Sequence, residues 1–253
     1  GLIRSWNSAG WFDMPQRLGD KIARLIGAAP SEVVATDTTS INLYKVLSVA
    51  LSMTALDAPE RKILISERSN FPTDLYIAEA LCKERGLQLK LVDAQDIEAA
   101  LTNDVAVLML THVNYRNGAM HNMQAVTAAA HAKGILCVWD LAHSAGAVPI
   151  DLTAAKADFA VGCGYKYLNG GPGAPAFIYV ADRHAGELRP ALAGWLGHEA
   201  PFAFDVEYRP GVGIDRLRVG TPPVIAMAAL EAALDIWDVA DIHDVRRKSI
   251  ELS

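Results

Sequence analysis

Residues 123–140 read MQAVTAAAHAKGILCVWD. The first twelve are a helix-forming, Ala-rich stretch that stops at Gly134, a residue suited to ending a helix in the left-handed region. The next six, ILCVWD, form a short apolar run of strand length, too compact for a second helix. Upstream, VAVLML (105–110) is another such run, so the two enclose a helix in a strand–helix–strand unit. Working outward, the same kind of run recurs at EVVAT (32–36), KILIS (62–66), LQLKLV (87–92), DFAVG (158–162) and AFIYV (176–180). Between two of these lies TDLYIAEALCKERG (73–86), where Leu75, Ala78, Leu81 and Cys82 share one helical face and Gly86 supplies the stop. Seven strands alternating with helices predict an α/β fold of three layers, with a mainly parallel seven-stranded sheet between helices. The pattern loosens after about residue 185 and returns to an Ala-rich helix near 223–239. No repeat or long linker divides the chain, so residues 1–253 are expected to be one large domain.

Composition narrows the partners. The chain has 253 residues, 51% of them hydrophobic, with a formal net charge of −6. Its mean hydropathy is +0.17 and its pI is near 5.6. An acidic chain of this kind argues against nucleic acid and against an anionic membrane surface, both of which want a basic face. The longest apolar run, DVAVLMLTHV (104–113), is too short to span a bilayer. Three scattered cysteines, Cys82, Cys137 and Cys163, suggest neither a disulfide framework nor a zinc site, and point to a reducing cytoplasm. The opening GLIRSWNSAGWF has no leader character, and DIHDVRRKSIELS closes the chain as an uncapped helical segment. Both ends are therefore expected to be breaks in a longer protein.

Sheets of this type bind ligands beyond the carboxyl ends of their strands. After VVAT, helical spacing at Leu43, Leu47, Ala50 and Leu51 puts Thr38, Thr39 and Ser40 at a helix N-terminus, which is either a phosphate seat or an ordinary hydroxyl cap. After KILIS, Phe71 precedes Pro72, with Thr73 or Asp74 expected to cap the helix that follows. Phe71 could stack on a flat ring or serve as a hydrophobic staple. Asp140 ends a strongly apolar strand, where a carboxylate needs a partner. A protonated ring nitrogen would suit it, and His143 could also pair with it. The remaining histidines do not gather at metal-ligand spacings, so no metal site is expected.

Residues 162–173, GCGYKYLNGGPG, hold Lys166 between two tyrosines and a cluster of glycines. A lysine in an apolar pocket can act as an amine nucleophile toward an aldehyde, and the glycines let backbone approach a cofactor. Alone, it reads as a loop lysine. Together, a hydroxyl-lined helix start, an aromatic, a strand-end aspartate and a later lysine meet the requirements of pyridoxal 5′-phosphate: phosphate seat, ring face, pyridinium partner and Schiff base.

FPTD, WDLAHSAGAVPIDL, GYKYLNGGPGAPAF, GWLGH and GTPP together resemble the kynureninase family, pyridoxal-phosphate enzymes of the aspartate-aminotransferase superfamily (fold type I). The resemblance runs the length of the chain in the right order. It implies the large cofactor-binding domain, with part of the N-terminal segment and the small C-terminal domain missing. It further implies that Lys166 forms the Schiff base, Asp140 pairs with the pyridine nitrogen, His143 supports it and Phe71 stacks on the ring. Thr39 and Ser40 meet the phosphate, helped by Tyr165, Trp195 and Thr221, some of them across a homodimer interface. Asp74 and Thr111 fall at further cofactor-contact positions. The implied reaction is hydrolysis of the Cβ–Cγ bond of L-kynurenine to anthranilate and L-alanine in tryptophan catabolism, with 3-hydroxykynurenine as a related substrate. Lys166 is then the base, Tyr165 the acid/base at the carbonyl, and Trp195 and His198 line the aryl end. The arginine for the substrate carboxylate belongs to the missing domain; Arg216 and Arg218 do not match it. Another fold type I lyase or desulfurase, and a cofactor-binding relic without turnover, are the competing readings.

Overall fold

In the computed structural model, residues 3–253 are described. Seven strands form one sheet: β1 (Val33–Ala35), β2 (Ile63–Glu67), β3 (Gln88–Val92), β4 (Val105–Thr111), β5 (Leu136–Asp140), β6 (Phe159–Cys163) and β7 (Ala176–Val180). Their order is β1-β7-β6-β5-β4-β2-β3. The block from β3 to β6 is parallel, whereas β7 runs antiparallel to both β6 and β1. The sheet is therefore mainly parallel, as its uninterrupted apolar strands require: all seven residues of β4 are buried.

Side chains alternate between the two faces along each strand. Val107 and Met109 join one apolar cluster, while Leu108 and Leu110 join the other. Helices α2 (Thr39–Asp57) and α3 (Pro72–Arg85) cover the first face with Leu43, Val46, Leu47, Ala78, Leu81 and Cys82. Helices α1 (Met14–Ile26), α4 (Met123–His131) and α5 (Val224–Leu234) cover the second with Leu18, Ile22, Ala130, Met227 and Leu230. A last helix, α6 (Ile242–Glu251), buries none of its residues. The result is the expected three-layer α/β arrangement. Trp139, Phe159, Phe177 and Tyr179 sit at its centre with almost no exposed surface. Burying a phenylalanine-sized side chain fully contributes about 1.5–3 kcal/mol.

Helix α3 ends as predicted, at Gly86 with φ 65°. Its start differs from the prediction. Phe71 occupies the N-cap with Pro72 following, and neither Thr73 nor Asp74 caps the helix. Instead the Phe71 N–H donates to Asn70 Oδ1 at 2.6 Å, which frees Asp74 to turn inward. The helix near 223–239 is α5 followed by a 3-10 turn over Asp235–Asp238. Residues 186–223 carry 3-10 turns, at Trp195–Gly197, Pro201–Ala203 and Gly213–Leu217, and an isolated antiparallel bridge between His198 and Pro210. Among the described residues no helix is long and apolar enough to cross a membrane.

Candidate active site

The carboxyl ends of β4, β5 and β6 bring their last residues to one edge. Parallel register sets Thr111 beside Asp140. Beyond them lies a cavity of about 170 Å³ lined by residues that include Thr39, Ser40, Phe71, Asp74, Asp140, His143, Tyr165 and Lys166. Eight predicted site residues, from four separate stretches of chain, thus meet in one place. The ninth, Thr111, is buried directly behind Asp140, its Oγ1 3.4 Å from Asp140 Oδ2 and bonded to Asn70 Oδ1.

Two acids dominate the electrostatics. Asp140 is 3% exposed and Asp74 4% exposed, and the two carboxyl groups line the same cavity closely enough for the charge of one to act on the other. Burial and then the Asp140 charge push the Asp74 carboxyl up to about 8. Burial also raises Asp140, to about 6, despite the Ala142 N–H, which donates to it at 2.8 Å, and the nearby Lys166. Two carboxylates in one dry pocket cannot both ionise without a cation between them, so the pair holds a proton near neutrality. Asp74 Oδ2 has no hydrogen-bond partner.

Lys166 Nζ lies 2.9 Å from His143 Nε2 and 5.6 Å from the centre of the Tyr165 ring. His143 therefore faces the lysine rather than pairing with Asp140, and burial, then Lys166, lowers its pKa. Its Nδ1 is buried and unpartnered. The loop bearing Lys166 is held close to the AHSAG segment: Gly146 has φ 82°, and a Cβ there would stand 2.5 Å from the Tyr167 carbonyl oxygen. Phe71 is half open to solvent at the cavity mouth, where the Tyr115 ring meets it edge-on at 5.3 Å and stacks near His143 at 6.3 Å.

At the start of α2, Thr38 caps the helix by accepting from the Ile41 N–H at 3.3 Å, leaving Thr39 and Ser40 in its first turn. A second cavity of about 450 Å³ adjoins the first through Thr38, Thr39, Cys163 and Tyr165, and its far wall is Gly220–Pro223. Thr221 therefore comes within reach of the helix start inside one chain. Trp195 and His198 do not. They line a separate cavity of about 260 Å³, and His198 is engaged with its own loop through the Glu207 carbonyl (3.1 Å) and the Ala200 N–H (2.9 Å). Arg218 serves structure, bonding the Phe12 carbonyl and lying over its ring, and Arg216 binds the Gly186 and Gly211 carbonyls.

Several contributors were not anticipated. Cys163 lines the cavity, Asn70 accepts from Thr111 behind it, and Tyr115 packs against Phe71 and His143. Glu67, at the end of β2, holds the loop that carries Tyr115 through Asn114 (3.2 Å) and His121 (2.8 Å). Cys163 is buried, and burial raises its thiol pKa. Far from this edge, ligand atoms of His131, Cys137 and Asp158 lie within 4.8 Å of one another, a grouping that spacing along the chain did not reveal.

Fold and site together define a three-layer α/β domain that presents a lysine amine and a buried carboxyl pair to one cavity. The chain belongs to the aminotransferase class-V family, which it matches over residues 15–253. It is 54% identical over 256 aligned residues to kynureninases of Burkholderia mallei (strain SAVP1), Burkholderia pseudomallei (strain K96243) and Pseudomonas fluorescens. Each alignment takes in 100% of this chain and 62% of the relative, so the chain spans about three fifths of their length. Among solved structures, a cysteine desulfurase from Thermococcus onnurineus NA1 superimposes with a TM-score of 0.78 at 22% identity, over 91% of this chain and 58% of that one. A lysine mutant of the cystine C–S lyase C-DES, with glycine covalently linked to its PLP cofactor, gives 0.81 at 18%, over 98% and 68%. These two establish the shared fold.

Proposed function

We propose that the chain is the cofactor-binding large domain of a kynureninase, hydrolysing the Cβ–Cγ bond of L-kynurenine, or its 3-hydroxy derivative, to anthranilate and L-alanine with pyridoxal 5′-phosphate. The observation that carries this reading is the 54% identity to kynureninases along the whole chain. The cavity suits the cofactor on its own evidence. A pair of carboxyls that must hold a proton, with Asp74 Oδ2 unsatisfied, wants a cationic N–H donor such as a pyridinium. The Phe71 ring at the mouth and the hydroxyls and free N–H groups at the start of α2 suit a flat ring and a phosphate.

Bound there, pyridoxal phosphate supplies an aldehyde for amines and an electron sink for the substrate carbanion. The chain's own groups do the rest. Asp140, backed by Thr111 and the Ala142 N–H, keeps a negative charge where a ring nitrogen would sit. Lys166, released to the free amine, takes the substrate Cα proton and returns it, with neutral His143 receiving its hydrogen bond. Tyr165, beside Lys166 and bordering both cavities, is placed to move protons at the γ-carbonyl as water adds and the carbon–carbon bond breaks.

Trp195 and His198 support a homodimer: apart from Lys166 in their own chain, they belong at a partner's aryl pocket. Exposed Phe202, Phe204 and Val206 beside them supply an apolar contact face. The buried, unpaired cysteines suit a reducing cytoplasm.

The test is product analysis with the full-length protein. Release of anthranilate and alanine from kynurenine is expected, with borohydride fixing the cofactor to Lys166. Turnover of cysteine without any of kynurenine would give the desulfurase reading instead, and fixed cofactor with no turnover the relic.

A further inference from the structure

Helix α2 holds a charged side chain that the reaction does not use. Lys45 is fully buried, two turns into the helix from the phosphate seat. Its ammonium bonds the Asp37 carboxylate and donates to the Leu217 carbonyl at 2.7 Å. Asp37 immediately precedes the capping Thr38 and has φ 44°, in the left-handed region that aspartate tolerates better than most residues. Leu217 ends the 3-10 turn that leads, three residues later, into Gly220–Thr221. These two segments are the facing walls of the 450 Å³ cavity. One helical turn earlier, Asn42 adds a second grip, donating to the Thr36 carbonyl at 2.7 Å.

A buried ion pair is a poor source of stability, because desolvating both charges offsets most of their attraction. A methionine at position 45 could pack in the same space. What an apolar side chain cannot do is join a carboxylate on one wall to a carbonyl on the other. We propose that Lys45 is a positioning residue for the phosphate of the cofactor: it fixes the Asp37–Thr39 loop and the Leu217–Thr221 segment at the separation at which both reach one phosphate group. This rests on the pyridoxal-phosphate reading above and extends it to a residue that touches neither cofactor nor substrate.

The experiment compares pyridoxal 5′-phosphate with pyridoxal, which lacks the phosphate, on the full-length protein, reading each dissociation constant from the absorbance of the bound chromophore. Lys45→Met is expected to weaken the phosphate ester about tenfold or more, the scale of one hydrogen bond to a charged group, and pyridoxal less than about twofold. The phosphorus resonance of the bound ester should shift as well. Asp37→Asn, at a half-exposed position, should act in the same direction and serves if Lys45→Met does not fold. Equal weakening of both ligands, or of neither, would overturn the proposal. Failure of the unmutated protein to bind either ligand would instead overturn the cofactor reading beneath it.

Discussion

The amine of Lys166 stands 2.9 Å from Nε2 of His143. An ammonium has only protons to offer, so the ring nitrogen must accept, and a lowered His143 pKa keeps it able to. His143 thus holds the amine at the cavity, where the proposed function needs it. Replacing it by phenylalanine keeps the ring but removes the acceptor. His143→Phe should slow borohydride-trappable attachment of pyridoxal phosphate about tenfold to a hundredfold, as expected for one charge-assisted hydrogen bond. An unchanged trapping rate would show that the lysine needs no such acceptor.

The Asp74–Asp140 pair makes the cofactor-free protein sensitive to alkali. Asp74 is raised from its usual value to about 8, by burial first and Asp140 second. A carboxyl whose folded pKa is raised stabilises the fold fully below its unfolded pKa, and that contribution is lost as pH rises through the folded value. The melting temperature of the cofactor-free protein should therefore fall from about pH 4 to about pH 8. Asp74→Asn should flatten that slope and raise the melting temperature at the alkaline end, while binding the cofactor more weakly. A slope that survives in Asp74→Asn would place the titration elsewhere.

Much of this site could be read before the fold was known, for a physical reason. Strands buried on both faces are continuous apolar runs, so their ends are sharp, and ligand-binding residues follow those ends. Asp140 and Lys166 were legible in this way. Pairings across the chain were not: Asn70 meets Thr111 and Lys45 meets Leu217 across 41 and 172 positions, and no local period encodes either. Nor does a run such as AFIYV disclose strand direction, which is why the antiparallel β7 was not foreseen. Helix α1 did carry a signal, with Met14, Leu18, Ile22 and Ile26 spaced at four and all buried. Trp195 and His198 sit in irregular backbone, whose path depends on tertiary contacts rather than on periodicity.

Gly146 couples the AHSAG turn to the lysine loop. With φ 82° and the Tyr167 oxygen 2.5 Å from where a Cβ would stand, Gly146→Ala must move the residue next to Lys166. Strain of this kind costs about 1–3 kcal/mol. The variant should unfold at lower denaturant and bind pyridoxal phosphate less tightly in its folded fraction. Wild-type affinity in a destabilised Gly146→Ala would mean that the lysine loop absorbs the displacement without moving Lys166.

Asp158 makes the opposite prediction from Asp74, at the opposite end of the sheet. It precedes β6, is 1% exposed, and accepts from the Cys137 N–H (2.8 Å) and Arg183 (2.7 Å) while facing His131 (2.8 Å) and His184 (2.9 Å). Burial by itself would raise its pKa. The hydrogen bonds from His131, His184 and the Cys137 N–H outweigh that and hold the carboxyl well below the usual range. A carboxyl whose folded pKa is depressed stabilises above its unfolded pKa, and the contribution is lost as pH falls through the folded value. Asp158→Asn presents an NH₂ group to some of these donors and leaves Arg183 without a counter-charge. It should cost about 1–3 kcal/mol at neutral pH, as leaving buried donors without an acceptor does, and the deficit should shrink as acid protonates the wild-type carboxyl. Denaturant titrations of both proteins from neutral to acidic pH would measure this. A deficit that stays constant with pH would mean that Asp158 acts through packing rather than charge.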